Sequence, residues 1–507
     1  MRSERLRSAR GRIGRRLAAA AALTTALALT ACTTEAPTPV PSSVSPSTPR
    51  PFTVMSTDTI RVTDPAAITT ASSAMVSLNV FQRLMTAPPG EAVLKPDAAK
   101  DCLFTSRTTY TCTLNRDLQF SNGHPLTSSD VKFSIQRAAR LAVPGSSASL
   151  LSSLRRIETP DPITVRFVLS EPDTQFGWAL ASPAASIVDE EVYDADEVRP
   201  ADQPIVGSGP FTVTGFSDHT LTLTKAAHYV GFSPARLPSL VYRTAPDSGT
   251  IEDAMKKHQV DVVWRGLNTA AVTRYAGQIT QNADERTADG FAMATYTGLL
   301  VKEIVWSPDS DLRKNKSLRQ AIAVALQGDR TLESIIPGGI PGHIATFPAG
   351  GKATPKVTWN NRIRLTLSYD STAPDARDLA NQIRTRLEDT GGLSVRVRAD
   401  DRNADLSLVD YKAWTATPLA WLQPYLDSPL PGSAAKIESL VTAYSEATDP
   451  KAADVVIAQL QRQAAQDLTV LPVSQGDEHS FAVTGADVAA SSFGPGWQLG
   501  FFGMGTA

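Results

Sequence analysis

Hydrophobic and polar positions repeat with two different periods along this chain, and the change of period separates strands from helices. Residues 362–370, RIRLTLSYD, place an apolar side chain at every second position, which is typical of a half-buried β-strand. Residues 373–389, APDARDLANQIRTRLED, repeat apolar side chains at helical spacing. Strands that alternate with helices in this way predict an α/β architecture.

Residues 118–140, LQFSNGHPLTSSDVKFSIQRAAR, carry the clearest boundary signals. Residues 118–120 predict the end of a strand, and Asn122-Gly123 predict a turn because both residues tolerate positive φ. Thr127 predicts a helix N-cap, and Asp130 lies where a capping box requires a side chain that accepts hydrogen bonds. The expected helix then carries apolar residues at helical spacing, namely Val131, Ile135 and Ala138.

The N-terminal residues have the pattern of an export signal. Residues 1–16 contain seven arginines and one acid, and residues 17–31 contain no charge. Residues 29–32, Leu-Thr-Ala-Cys, resemble a lipobox, which implies that Cys32 is lipidated and begins the mature protein; a plain signal peptide with an incidental Cys32 is the alternative. Residues 32–51 are rich in proline, serine and threonine, and predict a disordered, extended tether.

Charge and length restrict the classes of protein. The first 31 residues hold seven of the 49 basic and one of the 51 acidic residues, so the rest of the chain has a net charge of about −8. This balance does not favour a nucleic-acid partner, which requires a clustered basic face. No later run of about 18 apolar residues predicts a membrane span. The 507 residues exceed what one hydrophobic core supports, so we expect two or more lobes.

Two further cysteines lie in the segment DCLFTSRTTYTCTL. Its alternation on both sides of residues 106–108 predicts a hairpin, and counting outward from Arg107 places Cys102 opposite Cys112. Facing residues on antiparallel strands are close enough for a disulfide, and an exported protein meets an oxidising compartment. We therefore predict a Cys102–Cys112 disulfide, with two free thiols or a metal pair as alternatives.

The stretch 118–140 also resembles the signature of the family 5 extracellular solute-binding proteins, the peptide- and nickel-binding receptors of ABC importers. Asn122 stands where that family usually has an acid. Other segments resemble the family in the same order along the chain: VTDPAAITTASSAMVSLNVFQRLM (62–85), VGSGPFTVTGF (206–216), HYVGFSPARLPSLVYR (228–243), AMKKHQVDVVW (254–264), SLRQAIAVALQGDR (317–330), and the helix after Asp449-Pro450 that leads into DLTVLPV.

The resemblance implies an α/β, two-lobed periplasmic-binding-protein-like fold of class II, large, with an extra inserted subdomain, around a hinged cleft. Residues 1–31 are then a lipoprotein signal peptide and 32–51 a tether. The other expected boundaries are 52–78, 203–272 and 480–507 for lobe I, 79–202 for its inserted subdomain, and 273–479 for lobe II. Because the chain crosses between the lobes twice, a ligand that contacts both favours a closed form.

The resemblance also implies two ligand-binding segments, one at Thr69, Thr70 and Ala71 and one within 408–418, LVDYKAWTATP. The second segment supplies the candidates Asp410, Tyr411, Trp414 and Thr415. In oligopeptide-binding members an aspartate holds the peptide's free amine, and Trp414 occupies that position here. An indole offers one donor and a π face, so Trp414 is suited to a cation, a sugar or an apolar ligand.

Structural roles remain open for these residues. Trp414 and Tyr411 are also candidates for core packing, and Asp410 for a solvated turn or for replacing the missing aspartate. Thr69 and Thr70 are also candidates for ordinary helix-capping or strand residues.

The resulting expectation is a lipid-anchored, monomeric receptor on the extracytoplasmic face of the bacterial cell membrane. It captures a small molecule, with a peptide as the first candidate, and passes it to ABC permease subunits. We expect no enzyme activity, cofactor or bound metal, because neither a His-Glu-x-x-His motif nor a Gly-x-Ser-x-Gly elbow is present. A non-peptide solute (sugar, cation or apolar ligand) and a non-transport sensor role in the cell envelope are the alternatives.

Overall fold

The computed structural model describes residues 50–87, 93–351, 361–489 and 499–506. The expected signal peptide, Cys32 and all but the last two residues of the expected tether lie outside these described residues. Residues 352–360 of the expected second lobe and 490–498 of the expected C-terminal segment of lobe I also lie outside them.

The described residues contain both helices and strands in the mixed order that the sequence pattern predicts. The strands are β1 (Phe52–Ser56), β2 (Met85–Thr86), β3 (Lys95–Pro96), β4 (Ala99–Ser106), β5 (Thr109–Leu114), β6 (Leu154–Asp161), β7 (Thr164–Leu169), β8 (Phe211–Ser217), β9 (Thr220–Lys225), β10 (Ser239–Thr244), β11 (Val262–Trp264), β12 (Phe291–Trp306), β13 (Ile363–Tyr369), β14 (Leu393–Ala399), β15 (Leu406–Tyr411), β16 (Val470–Val483), β17 (Ala486–Val488) and β18 (Met504–Thr506). The helices are α1 (Ala71–Val80), α2 (Ser128–Leu141), α3 (Phe176–Ala179), α4 (Ser248–Lys256), α5 (Thr269–Gln281), α6 (Lys316–Ala325), α7 (Ala376–Glu388), α8 (Pro418–Leu426), α9 (Ala434–Glu446) and α10 (Pro450–Asp467).

One ten-stranded sheet runs through both lobes in the order β14-β13-β15-β12-β16-β11-β1-β10-β9-β8. The half from β11 to β8 packs against α1, α4 and α5, and we call this part the first lobe. The half with β13, β14 and β15 packs against α6, α7, α8 and α10, and we call this part the second lobe. The long antiparallel strands β12 and β16 contribute to both halves.

The long strands connect the lobes at an irregularity in their pairing between Tyr296 and Leu300. Before this irregularity along β12, Phe291 is buried beside Tyr275 of α5 and Phe481 of β16 in the first-lobe core. The expected start of the second lobe at residue 273 stays a prediction, and this packing favours a crossing nearer to residue 298.

The second lobe contains the strand–helix alternation predicted from the sequence. Segment 362–370 forms β13 and segment 373–389 contains α7, while β13 pairs in parallel with both β14 and β15. The helix predicted after Asp449-Pro450 is α10, with the Asp449 side chain accepting a hydrogen bond from the Lys451 amide. These predictions are confirmed.

A four-stranded antiparallel sheet, in the order β4-β5-β7-β6, lies within the expected insertion and packs against α2. The predicted capping box of α2 is confirmed: the Thr127 hydroxyl accepts a hydrogen bond from the Asp130 amide, and the Asp130 carboxylate accepts one from the Thr127 amide. The predicted apolar face of the helix is fully buried. The strand predicted at 118–120 is wrong: Phe120 N–H donates to the His124 carbonyl, which closes a tight loop with a single bridge between Gln119 and Pro125.

The predicted disulfide is confirmed. Cys102 and Cys112 face each other on the β4–β5 hairpin, their Cα atoms are 4.1 Å apart, and a disulfide joins them.

A buried ion pair fastens this insertion to the first lobe. Arg137 of α2 donates to both carboxylate oxygens of Asp64, at 2.9 and 2.6 Å, and neither side chain is more than 1% exposed. Arg137 also donates to the carbonyls of Asp194 and Glu197. Because every ionic group has a partner here, the interaction tolerates burial, and loss of one member leaves an uncompensated charge.

Candidate functional site

A cavity of about 350 Å³ lies between the two lobes, within the usual size range of small-ligand sites. The first lobe contributes the turn after β11 and the start of α5, including Arg265 and Thr269. The second lobe contributes Lys302, Asp375 and Asp410, and β16 contributes Asp477 to His479 and Phe481. We call this cavity the cleft.

The turn after β11 sets the position of the central cation. The chain passes through Arg265 at φ 55° and Gly266 at φ 82°. A Cβ atom at residue 266 would lie 2.8 Å from the Thr57 amide nitrogen, so only glycine fits this close approach. Positive φ is uncommon for a residue with a side chain. Arg265 adopts it at the lobe boundary, where its guanidinium meets carboxylates from both lobes.

Arg265 lies at the centre of an ion-pair cluster, which consists of three cations and three carboxylates: Arg265, Lys302, Lys412, Asp58, Asp410 and Glu478. Its Nη1 lies 3.4 Å from Asp58 Oδ2, its Nη2 lies 3.3 Å from Asp410 Oδ2, and its Nε lies 3.4 Å from Glu478 Oε1. The last contact is ionic without hydrogen-bond geometry, since Glu478 Oε1 accepts no hydrogen bond from the described residues.

Two lysines complete the cluster from the second-lobe side. Lys302 Nζ lies 2.5 Å from Asp410 Oδ1, and Lys412 Nζ lies 2.7 Å from Glu478 Oε2. The Lys412 ammonium also lies 5.6 Å from the centre of the Trp264 ring, within cation–π range. Both carboxylates are therefore shared between a lysine and Arg265.

Burial acts against the charged forms of Arg265, Lys412 and Asp58 in this cluster. It opposes the charge on Arg265, but Asp58, Glu478 and Asp410 together raise the pKa of that guanidinium above its usual value. Burial lowers the pKa of the Lys412 ammonium, although Glu478 opposes the change. Burial raises the pKa of the Asp58 carboxyl more than Arg265 lowers it. Each of these groups has an oppositely charged neighbour, which offsets part of the cost of burial.

The rim of the cleft holds the lobes together through direct hydrogen bonds. The Thr269 amide and hydroxyl both donate to Asp375 Oδ2, at 2.8 and 2.6 Å, across the cleft. Thr57 Oγ1 donates to the Thr372 carbonyl at 3.1 Å. His479 also lines the cleft, and burial lowers the pKa of its imidazole despite the neighbouring acids.

Of the predicted ligand-binding residues, Asp410 lines this cleft, where both its oxygens are engaged by Lys302 and Arg265. Thr70 is the N-cap of α1, with its hydroxyl accepting a hydrogen bond from the Ser73 amide. On either side of it, Thr69 is exposed and Ala71 is half-buried. The structure does not bring residues 69–71 into the lining of the cleft.

The other candidates in the second segment lie at the end of β15 or beyond it. Tyr411 packs edge-on against Trp421, and its hydroxyl donates to the Ala420 carbonyl, which is the core packing considered above. Trp414 is half-buried beyond the end of β15, and Thr415 is buried with its hydroxyl bonded to Thr417. None of these three lines the cleft, and their roles in ligand binding stay predictions.

Sequence reasoning missed most of the cluster. Lys302 lies in LLVKEIVW, where a charged pair interrupts an apolar strand, and this was a usable signal of a buried polar site. Arg265 follows the short apolar strand VVW, and its partners Asp58 and Glu478 are more than 200 residues away in sequence. Nothing local links those three residues.

Two negative observations apply to the described residues only. No group of three or more His, Cys, Asp or Glu side chains within 50–87, 93–351, 361–489 and 499–506 has the arrangement of a metal site. No helix in the same ranges combines the length and apolarity needed to cross a bilayer.

Comparisons with known proteins agree with this fold. Solved structures with the same fold include a dipeptide-binding protein from Pseudoalteromonas sp. SM9913 in complex with Met-Leu, with a TM-score of 0.76, 18% identity, and coverage of 90% of this chain and 100% of that one. The binding protein AgaA from A. tumefacien R10, in complex with agropinic acid, matches with a TM-score of 0.77 and 19% identity over 90% of this chain and 98% of that one. At these identities the likeness shows the fold.

Among curated proteins, the probable D,D-dipeptide-binding periplasmic protein DdpA of Escherichia coli K12 is 34% identical over 130 residues, which is 25% of each chain. The matches to the first curated relatives span between 25% and 61% of their length. Residues 93–433, more than half of the chain, match the model of the bacterial extracellular solute-binding proteins, family 5 Middle. The fold and this match together show that the chain belongs to the family 5 bacterial extracellular solute-binding proteins.

Proposed function

We propose that this protein is a solute receptor that captures a small ligand, with a peptide as the first candidate, in the cleft between its lobes. The observation that carries the proposal is the cleft of about 350 Å³, whose lining comes from both lobes and from the strands that connect them. A ligand there contacts both lobes at once. Binding energy is therefore available to favour the closed arrangement over an open one.

Peptide binding is supported by the relatives. The Pseudoalteromonas protein is described in complex with Met-Leu, and DdpA is named as a probable dipeptide-binding protein. The cleft combines apolar side chains with fixed polar groups, and this mixture suits a short peptide whose backbone needs hydrogen bonds. The ligand-binding roles of Thr69, Thr70, Ala71, Tyr411, Trp414 and Thr415 remain part of this proposal.

Closure is supported by the contacts across the cleft. Two sets of hydrogen bonds join the lobes: Thr269 donates to the Asp375 carboxylate, and Thr57 donates to the Thr372 carbonyl. The irregularity in β12–β16 pairing supplies a natural bending point. We infer that the ligand-free protein opens there, and that the ligand replaces water in the cleft when these contacts form.

We also propose how the receptor is deployed. Lipidation of Cys32 would hold it on the extracytoplasmic face of the cell membrane, and residues 32–51 would tether it. The receptor then passes its ligand to the permease of an ABC importer and acts as a monomer without catalysing a reaction. Cys32→Ala should release the full-length protein from membranes into the soluble fraction, as tested by fractionation of expressing cells; continued membrane association would contradict the anchor.

A non-peptide solute is a second candidate because one structural neighbour, AgaA, is described with agropinic acid. Trp414 also stands in place of the expected amine-binding aspartate. Native mass spectrometry of gently purified protein tests both candidates, since a retained ligand reveals its mass. Added peptides should raise the melting temperature, because a ligand that binds only the folded state stabilises it. Turnover of a candidate substrate would overturn the receptor proposal.

A further inference from the structure

We propose that Lys302 is a specificity-determining residue, whose ammonium fills the place on Asp410 that a ligand ammonium would otherwise take. The part of the ligand that faces Asp410 is then uncharged, such as an internal amide or an acylated or cyclised amine. This inference rests on the proposed function, because it names the class of ligand that the cleft accepts.

The first support is the geometry of the pair. Lys302 and Asp410 are directly opposite each other in the antiparallel β12–β15 ladder, so the backbone register brings them together. Nζ lies 2.5 Å from Oδ1, and the two side chains are only 14% and 17% exposed. Arg265 Nη2 lies 3.3 Å from the other oxygen, Oδ2. Both oxygens of this cleft carboxylate therefore already face a cation of the protein.

The second support is the charge balance of the ion-pair cluster. Its three cations and three carboxylates neutralise one another, so an added ligand ammonium would have to displace Lys302. A displaced, mostly buried ammonium loses its partner, and an unpaired buried charge is strongly unfavourable. A neutral ligand group avoids this loss.

The third support is the environment around the cluster. Asp375 and Asp477 are the remaining carboxylates in the described lining of the cleft; both are exposed, and they accept hydrogen bonds from Thr269 and from the Gly298 amide. Asp370 nearby accepts from the amide and hydroxyl of Thr372. Exposed carboxylates hold a cation weakly because water and salt screen them. A ligand ammonium therefore gains little from these exposed carboxylates, and they do not replace the place on Asp410 that Lys302 occupies.

The apolar part of the lining agrees with an uncharged ligand. Leu267 and Val272 of the first lobe, Leu300 of β12 and Phe481 of β16 line the same cleft as Lys302. Such a surface favours contact with side chains or acyl groups over a hydrated ammonium.

The test offers the protein a synthetic library of random peptides of two to five residues, half with free amines and half N-acetylated with an isotopic label. The ratio of captured free to acetylated peptides is measured by mass spectrometry for the wild type and for Lys302→Met. We expect the wild type to capture the acetylated half at least as well as the free-amine half, because Lys302 already occupies Asp410. We expect Lys302→Met to shift the ratio toward free amines by about tenfold or more, since a charge-assisted hydrogen bond becomes available on Asp410.

Matched variants separate this role from a structural one. Lys302→Arg keeps the charge and should keep the wild-type ratio, and the Asp410→Asn change should abolish the shift in the Lys302→Met background. Lys314 forms an exposed pair with Asp311, so Lys314→Met makes the same substitution away from the cleft and should leave the ratio unchanged. Lys302→Gln covers the case in which methionine prevents folding, as judged by melting temperature.

The outcomes are distinguishable. A wild type that already prefers free amines by tenfold, or folded Lys302→Met and Lys302→Gln variants that bind peptides with an unchanged ratio, would overturn the role of Lys302 and leave the peptide receptor intact. Capture of no peptide by the wild type or by any folded variant would overturn the peptide proposal, and this inference with it.

Discussion

Glu303 offers a quantitative test of the second-lobe core. It follows Lys302 on β12, is fully buried, and neither carboxylate oxygen has a hydrogen-bond partner among the described residues. Burial raises the pKa of this carboxyl from 4.5 to about 8. The Glu303→Gln substitution keeps the shape of the side chain and removes the titrating carboxyl group.

The magnitude follows from proton linkage. The folded pKa lies above the unfolded value, so the folded state binds more protons between pH 4.5 and about 8. Glu303 therefore reduces stability progressively as pH rises through that window, by about 1.4 kcal/mol per pH unit. The penalty reaches about 3 kcal/mol at pH 7 and is absent below pH 4.5. The buried amide of the variant adds an offset that does not depend on pH.

The assay is urea unfolding followed by tryptophan fluorescence between pH 4 and 9, since Trp306 and Trp421 lie in the second-lobe core. The stability of Glu303→Gln relative to the wild type should rise between pH 4.5 and 8 and stay level on both sides. Glu438→Gln changes an exposed glutamate on α9 and should show no such slope. A pH-independent difference for Glu303→Gln would refute the assignment of an unpartnered, buried carboxyl.

Three further predictions use contrasts built into the chain. Arg137→Ala should lower the free energy of unfolding by about 3–5 kcal/mol in urea titrations, because it strands a buried carboxylate, whereas exposed Arg140→Ala on the same helix should change it little. Cys102→Ser should destabilise the inserted subdomain by about 3 kcal/mol through loss of a short cross-link, as measured by limited proteolysis. Gly266→Ala should weaken ligand binding in calorimetry because its Cβ meets backbone, whereas Gly277→Ala in an open position of α5 should raise stability by about 0.5–1 kcal/mol and leave binding unchanged.

Each contrast has an outcome that contradicts it. Equal losses from the two arginine variants would mean that burial does not determine the strength of these pairs. Unchanged proteolysis of the cysteine variant would remove the disulfide from the stabilising features of the subdomain. Normal affinity in Gly266→Ala would show that the turn after β11 tolerates a side chain, and that its close approach to Thr57 is not required.

The sequence predicted the fold where local patterns determine it. The period of apolar residues located β13 and α7, the capping box located α2, and counting along a hairpin located the disulfide. In each of these cases the interacting residues are neighbours in sequence. The prediction from local sequence was wrong at residues 118–120, where a tight loop and one bridge replace the expected strand.

The candidate site was much less predictable because its residues meet only after the chain has folded. Asp410 was identified from its segment, but its partners Arg265 and Lys302 are 145 and 108 residues away. Tyr411 shows the opposite problem, since its aromatic character fits either a ligand site or the core packing against Trp421 that the structure contains. Pairing across the sheet, and not the local sequence, decided which side chains face the cleft.

We propose above that a small ligand lies between the two lobes beside the ion-pair cluster. The most direct measurement is a crystal structure of the protein purified from its native host without unfolding, so that any retained ligand is still bound. We predict ligand density that contacts Arg265 or Thr269 of the first lobe and also Lys302 or Pro374 of the second lobe. Density for a ligand on one lobe alone, with the cleft filled only by solvent, would contradict it.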